Sequence, residues 1–495
     1  MVGISAWGAY APRLRLSRKA AAGANAWVAP NLMAKAKGER AMANWDEDAL
    51  TMAVEAARDA LGPDDDRSWV DSVYFASTTG PFVDRLNAGI VSAALTLEKS
   101  ISAADITGSQ RCGLTALAQA LTSVKAGASK NVLVAAGEHR KARAASVQEL
   151  DFGDGAAAFV VSDGDTVAEF LGHGAVTDDF VDHFRGAGEE FDYSWEERWI
   201  RDEGIVKLVP PAIQQALNSA GIEASAVTHF CFPSTFTGMG ATLAKRLGIA
   251  PEAVRDNLAA VMGEAGSAHS LVMLAHALEE AKAGDVIVVA QFGAGAEALV
   301  FRATEAVASR RPQRGVTGSL ADRKEETNYL KFLFFNGLVE WDKGMRAEKD
   351  NKTALTTLYR NEDMILGLVG GRCRESGVVQ FPRTRISVAP NNPAVDTQEP
   401  YKFADRPASI LSYSADFLTF SMAPPNHYGM VVFEGGGRIF MDITDVEQGD
   451  VDTGLPVKMA FRLKEVDEKR GFRRYFWKAV PDRSRAAAAP AQAAE

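Results

Sequence analysis

Cysteine is scarce in this chain: there are three among 495 residues, Cys112, Cys231 and Cys373, set far apart. Such spacing argues against a disulfide framework. Long apolar runs are also missing. No stretch reaches the about 18 apolar residues that a membrane-crossing helix needs. The opening MVGISAWGAYAPRLRLSRKAAAG lacks the layout of a signal peptide and begins like a strand followed by a loop. The expectation is a cytoplasmic protein with no membrane partner. Basic residues are outnumbered, 54 Lys and Arg against 64 Asp and Glu, which gives a net charge of −10 and argues against a nucleic-acid partner. What is present is ordinary for a globular protein, 47% hydrophobic and 24% charged. The length exceeds one ordinary core, so two or three domains are expected.

Up to about residue 305 the chain alternates short β-like runs with helical patterns. SVYFAST (72–78), KNVLVAAGE (130–138), GAAAFVVSD (155–163), VTHFCFP (227–233), GDVIVVAQFG (284–293) and EALVFRAT (297–304) read as buried strands. Helical stretches include 46–62, 209–221, 242–248 and 269–284, so the pattern predicts an α/β layered core. A helix, a strand, a helix and a strand recur in the same order in both halves, as a duplicated unit of roughly 150 residues would. The polar stretch 309–328 reads as an interdomain linker. Beyond it, strands separated by Gly and Pro turns suggest a small antiparallel barrel. RSRAAAAPAQAAE (483–495) reads as a disordered tail.

One of the scarce cysteines sits at a junction. In DITGSQRCGLTALAQALTSVKAG (105–127), Cys112 follows a β-type segment. Leu114, Leu117, Ala118, Leu121 and Val124 then form the apolar stripe of a helix. A helix N-terminus favours negative charge and lowers a thiol pKa, which suits a nucleophile. A buried core cysteine explains the same position.

Four stretches carry a family likeness: QRCGLTAL (110–117), DFGDGAAAFVV (151–161), KRLGI followed by GEAGSAHS (263–270), and AGDVIVVAQFGAGAEA (283–298). They resemble the thiolase superfamily, and within it the 3-hydroxy-3-methylglutaryl-CoA (HMG-CoA) synthases and the ketoacyl synthase III type. YRNEDMILGLVGGRCRESGVVQFP (359–382) and VVFEGGGRI (431–439) resemble the OB-fold proteins with a rubredoxin-like zinc ribbon that accompany acyl-CoA thiolases. The resemblance implies a duplicated thiolase-like layered α-β-α-β-α core over residues 1–308. After the linker, a degenerate zinc ribbon plus a small all-β OB-fold domain would occupy 329–482. It also implies thioester exchange at Cys112, with the N–H groups of Cys112 and Gly295 as the oxyanion hole. The substrate would be an acyl-CoA, with no tightly bound cofactor.

Several positions depart from that pattern. The family's His falls in Pro233–Phe236, its Asn on Glu264, and its acidic residue on Thr78. Glu264 and His269 are therefore the replacement candidates for acid–base work, and Thr78 and Phe236 the candidates for lining the substrate. His229 and Cys231 read as core residues. Only Cys373 remains of the ribbon's cysteines, with Ser376 at its partner position, so no metal is expected. The expectation is an acyltransferase that forms or cleaves a carbon–carbon bond through S-acyl-Cys112 and is not an authentic HMG-CoA synthase. Two alternatives are a non-catalytic helper of a separate thiolase, and acyl transfer to a non-CoA carbon nucleophile. A homodimer, or a hetero-oligomer with a thiolase-type subunit, is expected in either case.

Overall fold

The computed structural model describes residues 1–349 and 352–488 and divides into two compact units. The first runs from Met1 to Val339 apart from Ala93–Thr96, and the second takes in Ala93–Thr96 and the chain from Glu340.

Nine strands of the first unit form one sheet: β1 Val2–Tyr10, β2 Ser72–Ala76, β3 Ser102–Ile106, β4 Asn131–Glu138, β5 Gly155–Asp163, β6 Ala168–Thr177, β7 His229–Cys231, β8 Val286–Phe292 and β9 Gly295–Ala303. Their order is β7-β8-β9-β6-β1-β5-β4-β2-β3. The two halves of the chain meet where β1 and β6 pair, over only Gly3–Glu169 and Ile4–Ala168. On one side antiparallel β1–β5 and β5–β4 lead to parallel β4–β2. On the other, antiparallel β6–β9 and β9–β8 lead to parallel β8–β7. The duplication read from the sequence is thus a duplication of topology.

Four helices complete the layers: α1 Ala49–Leu61, α2 Cys112–Lys125, α3 Val206–Ala220 and α4 His269–Glu280. Helix α1 covers the first half of the sheet and α3 the second, while α2 and α4 lie together against strands of both halves. The central core interleaves Leu114, Leu117 and Leu121 with Leu271, Leu274 and Leu278. Because helices cover both faces, β5 is buried from Gly155 to Ser162 and reads as a continuous apolar run. Helix α1 begins at a capping box. Asp48 accepts from the Thr51 N–H at 2.9 Å, and the Thr51 hydroxyl accepts from the Asp48 N–H at 2.8 Å.

The stretch 309–328 is not a free connector. It holds a helix, Gly315–Ala321, and a strand, Lys324–Glu326, that pairs in parallel with Leu14–Leu16. Tyr329–Phe335 also belongs to the first unit, where Phe332 and Leu333 are buried among Leu14, Leu16 and Met42. Short surface elements bury few side chains, and that polar composition is what a linker also shows.

In the second unit a three-stranded sheet joins Val369–Cys373, Val379–Gln380 and Gln398–Lys402. A closed five-stranded barrel follows: β10 Ala408–Asp416, β11 Asn426–Phe433, β12 Arg438–Ile443, β13 Pro456–Asp467 and β14 Phe472–Pro481. This is the small all-β domain expected from the sequence. Cys373 is buried beside Thr397 Oγ1 at 3.2 Å, and hydrogen bonds from Ser376, Thr397 and Ser387 draw its thiol down to about 6. Of the expected disordered tail, Arg483–Ala488 form a helix, and residues 489–495 lie outside the described residues.

Helix α1 approaches β4 closely enough that a Cβ on Gly137 would stand 2.1 Å from the Ala49 carbonyl oxygen. Gly137→Ala is expected to destabilise the first unit by roughly 1–3 kcal/mol, read as a lowered melting temperature.

Candidate active site

Cys112 is the first residue of α2 and is 2% exposed. The turn before it is tied down on both sides. Arg111 donates to the carbonyls of Val176 at 2.9 Å and Ala296 at 3.0 Å, and the Ser109 hydroxyl donates to the Gly293 carbonyl at 2.9 Å. The Gly-rich loop therefore packs directly against the nucleophile turn. A Cβ on Gly293 would stand 2.8 Å from Ser109 Oγ, and one on Gly295 would stand 2.0 Å from the Val176 carbonyl oxygen. The expected oxyanion hole needs revision on one side: the Cys112 N–H donates to the Ser109 carbonyl at 2.9 Å.

The helix N-terminus does not win the contest over the thiol. Burial raises the Cys112 pKa from 9.0 to about 12, and the charge of Glu138 adds to the rise. Hydrogen bonds from Ser267 and from the N–H groups of Cys112 and Gly113 oppose it. The rise corresponds to about 4 kcal/mol against the thiolate, whereas a helix N-terminus offers roughly 0.3–2 kcal/mol in its favour. At neutral pH the group is held as a thiol.

A carboxylate lies close enough for its charge to act on the thiol. Glu138, at the end of β4, is fully buried, and five donors converge on its carboxylate. They are the N–H groups of Thr78 at 3.1 Å and Ser267 at 3.3 Å, and the hydroxyls of Ser77 at 3.4 Å, Thr79 and Ser267. Ser267 donates its hydroxyl to Glu138 and also draws the Cys112 thiol pKa down, so it stands beside both groups. Gly113 makes this possible, because a Cβ there would stand 2.1 Å from the Ser267 carbonyl oxygen. Sequence reasoning missed Glu138 and Ser267. The available signal was a lone carboxylate ending an otherwise apolar strand.

A cavity of about 200 Å³ is lined among others by Gln110, Arg140, Phe236, Glu264, Gln291 and Phe292, while Cys112, Ser267 and Glu138 are not among its lining residues. Glu264 is ion-paired with Arg140, whose guanidinium lies 3.7 Å from the centroid of the Phe152 ring and 3.9 Å from Asp192. Phe236 lines the cavity, and Thr78 contributes its N–H to Glu138 while its hydroxyl accepts from Gln110 Nε2 at 3.3 Å. His269 is held in the scaffold: Nδ1 accepts from the Ala265 N–H at 2.8 Å, and Nε2 donates to the Asn257 carbonyl at 2.7 Å. Burial lowers its pKa, so it is neutral with both nitrogens engaged. His229 pairs with Asp285 at 3.1 Å, and Cys231 is fully buried in the core. The sequence reading also missed His183, which lines the cavity within the segment 178–205. Burial opposes its charge, but the hydrogen bond and charge of Asp182 prevail and raise its pKa above 6.5.

Residues 217–302 match the family model for the C-terminal part of 3-oxoacyl-[acyl-carrier-protein] synthase III. The chain is 29% identical over 310 residues to a hydroxymethylglutaryl-CoA synthase of Methanocella arvoryzae, covering 61% of this chain and 88% of that one. It is 27% identical over 337 residues to the enzyme of the same name from Thermococcus onnurineus, covering 67% and 95%. A solved HMG-CoA synthase complexed with CoA superimposes with a TM-score of 0.59 at 18% identity, over 71% of this chain and 95% of that one. The 3-oxoacyl-(acyl carrier protein) synthase III of Pseudomonas aeruginosa gives 0.54 at 22% identity, over 61% and 98%. The first unit has the thiolase-like fold of these condensing enzymes. Relatives named as HMG-CoA synthases overturn the expectation that this chain is not an authentic one. That expectation rested on the departures at Pro233–Phe236, Glu264 and Thr78, read position by position; the fold brings the charge of Glu138 to bear on the thiol from β4.

Arg140→Met leaves Glu264 without its cation, and a loss of roughly 3–5 kcal/mol is expected. Glu264→Gln should cost less, and melting temperatures compare the two. His183 gives a pH test. Its folded pKa is raised, so its pairing with Asp182 stabilises the segment below pH 6.5 and is lost as pH rises through the raised value. Amide-exchange protection of residues 182–194, corrected for intrinsic rates, should fall over that range.

Proposed function

We propose that this chain joins two acyl groups through an acyl-enzyme on Cys112, with CoA thioesters as substrates and formation of HMG-CoA as the condensation favoured by its relatives. The observation that carries this is a buried thiol with Ser267 beside it, whose hydroxyl donates to the buried Glu138 carboxylate. The thiol proton passes to Ser267 Oγ as the serine proton passes to Glu138. Cys112 Sγ then attacks the thioester carbonyl, and the collapsing tetrahedral intermediate expels the CoA thiolate. The same carboxylic acid, acting back through Ser267, returns the proton to that leaving group. Glu264, held by Arg140 on the cavity wall, takes the proton that the acetyl methyl of S-acetyl-Cys112 gives up as its carbon adds to the ketone of acetoacetyl-CoA, and returns it to the resulting alkoxide. Water then hydrolyses the thioester to Cys112 and frees HMG-CoA. His269 instead braces Asn257, which in turn holds the Ser234 carbonyl at 2.9 Å on the cavity wall. A helper subunit without chemistry would have no use for a proton route beneath a thiol.

Intact-mass measurement after brief exposure to acetyl-CoA should show a gain of one acetyl group that Cys112→Ala abolishes. Glu138→Gln and Ser267→Ala should slow that acylation by roughly 100-fold. Adding acetoacetyl-CoA should then yield HMG-CoA. An acetyl adduct that forms equally fast in Glu138→Gln would defeat the proton route. No adduct with any short acyl-CoA would defeat the proposed function itself.

A further inference from the structure

Between β6 and α3 the chain makes a small hairpin, His183–Phe184 against Tyr193–Ser194, whose residues His183, Asp192 and Ser194 help to line the cavity. One side chain reaches from it toward the nucleophile. Arg185 donates from Nη1 to Asp192 Oδ1 at 2.9 Å within the hairpin, and from Nη2 to the backbone carbonyl of Thr78. The Arg185 side chain is 20% exposed and that of Asp192 is 4%, so solvent screens this pair less than a surface pair. Thr78 in turn donates its N–H to Glu138 Oε2 at 3.1 Å. The peptide units of Thr78 are thus gripped on the carbonyl side by the hairpin while the N–H side holds the carboxylate.

We infer that Arg185 is a positioning residue: through the Thr78 backbone, the hairpin at the cavity wall holds Glu138 aligned to take the Cys112 proton. This rests on Glu138 acting as the internal base of the proposed function. Arg185 touches none of the reacting atoms. Its effect runs through two hydrogen bonds, and it vanishes when the carboxylate at their end is removed. Asp192 keeps the guanidinium oriented, and its other oxygen faces Arg140, the partner of Glu264. The wall that a substrate meets is thereby linked to both carboxylates.

The test needs no acyl substrate. The rate at which iodoacetamide alkylates Cys112 at neutral pH, followed on the Cys112 peptide by mass, reports how readily the thiol gives up its proton. Burial, the larger cause of the raised thiol pKa, persists in every variant. Arg185→Met should slow alkylation roughly tenfold, and Arg185→Lys, which keeps one charged donor for the Thr78 carbonyl, should recover part of the rate. In the Glu138→Gln background, which loses the proton acceptor together with the charge that raises the thiol pKa, Arg185→Met should change nothing further. An equal slowing by Arg185→Met in both backgrounds would show that it acts by loosening the site generally, and would overturn the inference. So would an unchanged rate when Arg185→Met is made in the parent. The predicted alkylation pattern without any acyl adduct would instead overturn the proposed function and leave the role of Arg185 standing.

Discussion

The site is built around a thiol that is buried before it is charged. Cys112 starts a helix whose next three turns fill the centre of the molecule, so its sulfur inherits the dryness of the core. Taking a sulfur out of water disfavours the thiolate more strongly than a helix terminus favours it. The surroundings of Cys112 follow from that imbalance. A buried thiol can act as a nucleophile only beside a proton acceptor that is itself buried, and a buried carboxylate survives only where donors satisfy it. Glu138 has five such donors, three of them hydroxyls that can also pass a proton.

The same reasoning separates the carboxylates by role. Among the described residues Glu138 has no ion-pair partner, and it is hydrogen-bonded by neutral groups, one of which also acts on the Cys112 thiol. Glu264 is paired with Arg140 and stands on the cavity wall, so its charge is balanced before any substrate enters. The loop that carries it is locked in place: the Glu264 N–H donates to Asp151 at 2.8 Å, and its carbonyl accepts from Gly153 at 3.0 Å. A Cβ on Gly153 would stand 1.8 Å from the Met262 carbonyl oxygen, so only glycine allows the two loops to interlock. His269 lies under this loop with both nitrogens spent on backbone groups, a bracing role that burial and neutrality suit.

What the sequence made legible was whatever local periodicity determines. The strands at 131–138, 155–163 and 286–292, the helix after Cys112, and the repeated order of elements all appear where the apolar pattern put them. What stayed hidden depends on contacts between distant residues. Glu138 is 26 positions from Cys112 along the chain, and only the sheet order that sets β4 beside β2 and β5 brings it under the nucleophile. Position-by-position comparison with a family looks for an acid where the family has one. It therefore recorded a loss at Thr78, while the fold uses the Thr78 backbone to hold a carboxylate supplied from elsewhere. The pKa of the nucleophile was misjudged for a related reason: a helix start is visible in the sequence, whereas the depth at which it is buried is not.

The duplicated topology explains why neither half could work alone. The first half supplies the Cys112 thiol and the Glu138 carboxylate, on α2 and β4. The second supplies Ser267 between them, the Gly-rich loop against the nucleophile turn, Glu264 on the cavity wall, and the hairpin that grips Thr78. The halves share a short ladder between β1 and β6 and the isolated Phe152–Glu264 bridge, and the packed pair α2 and α4 adds to their alignment. Gly113 sits at that contact and admits the Ser267 backbone. A side chain there would separate the serine from both the sulfur and the carboxylate. The packing that joins the two halves is therefore also what completes the proton route, and assembly of the core and assembly of the site are one event.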